Sequence, residues 1–102
     1  MACLLHPKRI FLITVDTLRA DHLGLYGYPR DTSPFWDSLG EAGLVIDSAY
    51  SSAAETAPSH ASLFTSLQPA QHRLLRNGEK LHESLPTLAK LFQDQGYRSA
   101  TR

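Results

Sequence analysis

Cysteine is nearly absent: Cys3, close to the start, is the single one. One thiol rules out a disulfide framework or a cysteine-based zinc site within the chain. Long apolar runs are missing too. The most apolar stretch, residues 9–15 (RIFLITV), falls far short of the roughly 20 residues a membrane-spanning helix needs. Neither charge predominates, with 10 Lys and Arg against 10 Asp and Glu. That balance excludes binding to nucleic acid or a membrane surface driven by bulk charge. Three motifs are also lacking: the glycine-rich dinucleotide turn, the P-loop and the helical HExxH zinc pattern. The segment before Arg9 has no apolar signal region, and Asp16 follows the short apolar run at once, so the chain as written is expected to be cytoplasmic, without a signal peptide.

What is present is the composition of a globular protein. Of 102 residues, 42% are hydrophobic and 20% charged, which separates the chain from disordered sequences and allows at most one small domain. Residues 9–15 are β-branched and apolar, as in a strand buried on both faces of a parallel sheet. Residues 16–32 read as a long loop, and loops of that length are usually functional. Ser33 and Pro34 predict a helix start, with Ser as N-cap and Pro in the first position. Phe35, Leu39 and Ala42 share one face, and Gly43 stops the helix. Residues 44–50 predict a second strand, 58–67 a second helix, 84–95 a third helix ended by Gly96, and 97–101 the start of a third strand. Strands alternating with helices define an α/β fold with a parallel or mixed sheet. Such a sheet needs further neighbours, so residues 1–102 are expected to form one incomplete domain.

Two places carry possible chemistry. Asp16 closes the first apolar run, where ligands of open α/β sheets gather. A carboxylate there suits a divalent cation; it equally suits an Asp that caps its own turn. The second place is Glu55-Thr56-Ala57-Pro58-Ser59-His60 before an apolar helix. A hydroxyl at a helix entrance meets unpaired N–H groups and the positive end of the helix dipole, a setting for a nucleophilic Thr56 or Ser59 and for an anionic ester. The same residues also describe an ordinary helix cap. The five histidines, His6, His22, His60, His72 and His82, read one by one as surface or internally satisfied side chains. Arg73 and Arg76 read as part of a solvated loop.

Taken together, the segments FLITVDTLRADHLGLYGYPRDTSP, TAPSHASLFTSLQPAQH and LPTLAKLFQDQGYRSA resemble, in order and spacing, the opening of sulfatase-family proteins of the alkaline phosphatase superfamily. The resemblance implies that Asp16 is a metal ligand and that Thr56 occupies the nucleophile position, also within reach of the metal. It implies a divalent cofactor, one of calcium, manganese, zinc or magnesium, and a small-molecule, glycan or lipid ester as substrate. In the family pattern C/S-x-P-x-R the first residue becomes formylglycine. Here Thr56 stands in its place and His60 replaces the arginine, while Thr17 replaces the second Asp of the strand-end pair. Threonine is not a precursor of formylglycine. The departures look more like superfamily members in which a threonine alkoxide attacks phosphorus directly. His60 would then hold an oxygen or the leaving group, and Ser59 would contact substrate. The expected function is a metal-dependent hydrolase of sulfate, phosphate or phosphonate esters. The alternatives are a phosphoryl-group transferase of the same superfamily, a non-catalytic truncated chain, or an unrelated small α/β binding module.

Overall fold

A computed structural model describes residues 8–100. Cys3, His6 and Thr101, the last residue of the expected third strand, lie outside that range. The chain divides into two compact units, Met1–Asp47 and Ser48–Arg102.

In the first unit the apolar run 9–15 forms neither helix nor strand, and it ends in a turn at Asp16 and Thr17. Thr17 sits in the left-handed region (φ 58°), and its hydroxyl donates to the Asp16 carbonyl at 2.7 Å. A β-branched residue is rare in that conformation. The expected loop contains two short 3-10 turns, Ala20–His22 and Gly24–Tyr26. Helix α1 then spans Pro34–Ala42 and ends at Gly43, as the Ser-Pro start and the glycine stop predict. Ser33 nevertheless does not cap its own helix with its side chain. Its buried hydroxyl accepts from the Gly24 N–H (2.9 Å) and donates to the Asp37 carboxylate (3.1 Å). Asp37 in turn accepts from the Leu25 N–H (2.8 Å). This polar knot ties α1 to the second turn. Gly40 lets the two approach, because a Cβ there would run into the Leu25 side chain.

The second unit holds α2 (Thr56–Thr65), α3 (Pro69–His72) and α4 (Leu88–Asp94). Helix α2 begins two residues ahead of Pro58, and α3 has no counterpart among the helices the sequence predicts. Gln68 and Pro69 start α3, with the Gln71 side chain accepting from the Gln68 N–H at 2.9 Å. Its packing on α2 buries Pro58, Ala61, His72 and Leu74. Helix α4 is shorter than the expected 84–95, yet it ends as Gly96 predicts. Gly96 adopts φ 87°, its N–H reaches the Gln93 carbonyl, and the Tyr97 N–H reaches the Phe92 carbonyl. Those are the two bonds of a Schellman cap, completed by the edge contact of Phe92 and Tyr97 rings 5.3 Å apart.

Two expectations are corrected. Among the described residues no strand forms, although residues 9–15, 44–50 and 97–100 carry strand composition. A strand of a parallel sheet draws its stability from neighbouring ladders and from cover on both faces, and these segments have neither. Phe11 is 79% exposed, Leu44 88% and Tyr50 91%. The apolar face of α1 is also open, with Phe35 and Leu39 exposed rather than buried.

Candidate active site

Asp16 belongs to the first unit; Thr56, Ser59 and His60 belong to the second. Asp16 is exposed at the turn that closes the apolar run. An open pocket of about 400 Å³ lies in the same unit, lined by Val15, Leu18, His22, Tyr28 and Trp36 among others. Asp16 is not among its lining residues, and the lining is mostly apolar.

Thr56 is the first residue of α2, on a segment whose preceding residue, Glu55, is extended (φ −94°, ψ 147°). The amides expected to converge there are used within the chain. The Ala57 N–H donates to the Asn77 side-chain oxygen at 2.8 Å, the Ser59 N–H donates to the Glu55 carbonyl at 3.1 Å, and Pro58 has no N–H to offer. The Ala57 amide of the helix entrance is thus capped by Asn77, while the Ser59 N–H makes the first regular bond of the helix, and the expectation of an open set of donors is revised to that extent.

The two other polar side chains of the first turn have defined roles. The Ser59 and Ser51 hydroxyls are 2.6 Å apart. Ser51 donates its one proton to the Ala53 carbonyl (2.7 Å), so Ser59 is the donor of the pair. His60 Nδ1 lies 2.9 Å from the Thr56 carbonyl. A carbonyl only accepts, so Nδ1 carries the proton and Nε2 is the acceptor nitrogen of the neutral ring. Thr56 and His60 are therefore linked through backbone, one turn apart on α2.

Glu55, the first residue of the motif, and two residues that the sequence alone does not single out, Asn77 and His72, make further bonds in this unit. Glu55 and Asn77 face each other, with the Asn77 N–H donating to the Glu55 carboxylate at 2.8 Å. His72, only 3% exposed, accepts from the Leu74 N–H at Nδ1 (3.1 Å), which leaves Nε2–H to donate to the Ser62 hydroxyl (3.0 Å). The sequence signal for Asn77 is its pairing with Gly78, a turn dipeptide. His72 has no strong local signal, because only the Leu74 N–H is near it in sequence and Ser62 is brought in by packing.

A divalent cation takes several donors at once. Among the described residues no three His, Cys, Asp or Glu side chains gather in one place. These residues do not by themselves fit a complete metal centre. Among them also, no helix is long and apolar enough to cross a membrane.

The sulfatase family model matches residues 8–101. Arylsulfatase A from Bos taurus is 35% identical over 99 residues, covering 89% of this chain and 19% of its own length. A Delta 4,5-hexuronate-2-O-sulfatase from Bacteroides thetaiotaomicron is 28% identical over 93 residues, with 86% and 19% covered. The uncharacterized sulfatase YidJ of Escherichia coli is 31% identical over 94 residues, with 91% and 18% covered. No solved structure matches. The chain belongs to the sulfatase family. It spans about a fifth of the length of these curated relatives. Membership points to the alkaline-phosphatase-like α/β class, whereas the described residues form helices and turns alone.

Proposed function

We propose that this chain is the nucleophile-bearing part of an ester hydrolase in which Thr56 attacks a sulfate, phosphate or phosphonate group. The observation that supports the reading is the place of Thr56. It is the first residue of α2, inside the segment 8–101 that the family match spans, and the resemblance of residues 56–60 to the pattern C/S-x-P-x-R is what suggests it as the nucleophile. In the attack the Thr56 hydroxyl loses its proton and bonds to sulfur or phosphorus, while the ester bond to the alcohol breaks and the alcohol leaves protonated. Water then cleaves the threonine ester, releases sulfate, phosphate or the free phosphonate, and restores the hydroxyl. His60 is one turn along; its Nε2, the acceptor nitrogen of the neutral ring, would take up a proton, and once protonated it would donate to an oxygen of the transferred group or to the leaving alcohol. Ser59 is proposed as a substrate contact, and Asp16 as one ligand of a divalent metal whose identity stays open. A cytoplasmic location remains part of this proposal.

A second reading, a chain that binds without turnover, is favoured by one observation. The entrance amide of Ala57 is already occupied within the chain.

The test is hydrolysis of matched aryl sulfate, phosphate and phosphonate esters by the full-length protein with added divalent metal. Thr56→Ala is expected to lose turnover with the fold intact. Thr56→Ser should keep part of it, since a primary hydroxyl stands at the same place. Thr56→Cys should gain no sulfatase activity, because His60 replaces the arginine of the formylglycine pattern. Wild-type rates in Thr56→Ala combined with loss in Ser59→Ala would move the nucleophile to Ser59. Full activity in both would show that the helix entrance does not supply the nucleophile, and absence of turnover in the wild type would support the non-catalytic reading.

A further inference from the structure

Asn77 holds the chain on both sides of Thr56. Its backbone N–H donates to the carboxylate of Glu55, the residue before Thr56, at 2.8 Å. Its side-chain oxygen accepts from the N–H of Ala57, the residue after, also at 2.8 Å. One residue more than 20 positions downstream thus pins both neighbours of the proposed nucleophile while contributing nothing covalent to it.

The turn that presents Asn77 is itself built. The Glu79 N–H closes on the Arg76 carbonyl at 3.3 Å, and Gly78 takes φ 90°, a backbone conformation glycine adopts without strain. The Glu79 carboxylate accepts from the Leu75 N–H (2.6 Å) and the Arg76 N–H (3.2 Å), so the approach to the turn is stiffened on that side too. The segment starts from the small core of the unit, where Leu74 is buried and its N–H is held by His72. The order of dependence runs from core to turn, from turn to Asn77, and from Asn77 to the two residues that flank Thr56.

We propose that Glu55 and Asn77 form a clamp that positions Thr56 for attack, making both of them positioning residues. The proposal rests on the reading of Thr56 as nucleophile. Catalysis of this kind is sensitive to small displacements of the attacking atom, and a threonine at a helix end frays unless its flanking backbone is tied down. The clamp supplies that tie with groups that need never touch the ester.

Glu55 is the discriminating position, because its carboxylate acts on Asn77 and so on Thr56 only at second hand. In the full-length protein, Glu55→Ala is expected to lower kcat by about tenfold to a hundredfold, with KM changing far less. Glu55→Gln keeps an acceptor for the Asn77 N–H and should restore most of the rate. Asn77→Asp keeps an acceptor for the Ala57 N–H and should likewise retain more activity than Asn77→Ala. Amide hydrogen exchange provides a readout independent of turnover. The Ala57 amide should exchange faster in Glu55→Ala and Asn77→Ala, while the Leu74 amide stays as protected as in the wild type. Unchanged Ala57 exchange in both variants overturns the clamp. So does an unchanged kcat in Glu55→Ala and Asn77→Ala when Thr56→Ala is inactive. So does a Glu55→Gln variant no better than Glu55→Ala. If Thr56→Ala itself keeps full turnover, the nucleophile reading falls first, and the exchange data still decide whether the clamp exists.

Discussion

The two units of the chain are held by different means. The first relies on a polar knot, in which Ser33 and Asp37 satisfy the amides of Gly24 and Leu25, and it leaves its apolar run in the open. The second buries a small core of Pro58, Ala61, His72 and Leu74 between α2 and α3. Hydrogen bonds in the first unit fix geometry but add little net free energy each, about 1 kcal/mol. Burial and satisfied polar groups in the second make each core residue harder to remove. The comparison teaches that apolar content and stabilisation are separate matters: the run 9–15, rich in Ile, Leu and Phe, stays largely exposed.

The largest expected effect tests that contrast directly. His72→Ala leaves the Leu74 N–H without its acceptor and the Ser62 hydroxyl without its donor, at a cost of about 1–3 kcal/mol for the stranded buried amide. Leu12→Ala removes a larger apolar side chain that is already 51% exposed, and substitutions at such places stay within about 0.5 kcal/mol. Urea unfolding of the 102-residue chain, followed by circular dichroism, measures both. A Leu12→Ala penalty equal to that of His72→Ala would break the comparison, because it would reveal a buried role for the run at 9–15.

A middle-sized effect sharpens the picture of the second unit. Ser66 and Arg73, which end α2 and α3, both adopt left-handed backbone, φ 58° and 60°. A residue with a Cβ is disfavoured there by about 1–2 kcal/mol, and glycine is the usual occupant of such a helix end. Part of the gain from glycine is offset by its greater freedom in the unfolded chain. Ser66→Gly and Arg73→Gly should therefore each raise stability by roughly 0.5–1 kcal/mol, read as a higher urea midpoint. Destabilisation by either would mean that its side chain makes a contact worth more than the strain.

These contrasts also explain which features were legible in the sequence. Helix ends were, because they depend on neighbours a few residues away. Pro34 and Gly43 bound α1, and Gly96 with Tyr97 closes α4, by backbone bonds that local residues specify. Strands were not, because residues 9–15 and 44–50 have the right composition but need partners that the described chain does not provide. At the candidate site, the helix start near Thr56 was legible through Pro58. Its supports were not. Glu55 and Asn77 meet across more than 20 residues, and His72 meets Ser62 across the packing of α3 on α2. The capping of the Ala57 amide likewise depends on Asn77, so a helix entrance that looks open in sequence is partly filled in space.

The smallest effect belongs to the surface of the first unit. Arg19 grips Asp21 through Nε (2.9 Å) and Nη2 (2.5 Å), and His22 Nδ1 donates to the same carboxylate at 2.9 Å. The hydrogen bonds from Arg19 first, and from His22 second, hold the Asp21 carboxyl well below the usual carboxylate range, and the same pairing raises Arg19. Because the folded value lies below that of an unfolded Asp, about 3.9, the pairing stabilises the fold above that pH. The contribution is lost as pH falls toward the lower folded value. All three groups are on the surface, where water and salt screen such pairs. Asp21→Asn should consequently leave the urea midpoint at neutral pH almost unchanged. Carboxyl NMR titration of the chain should give Asp21 a midpoint below about 3.9 at low ionic strength, rising toward it as salt is added. An ordinary midpoint at low salt would show that the Arg19 fork is not populated in solution, and that the first unit has even less holding it than its polar knot.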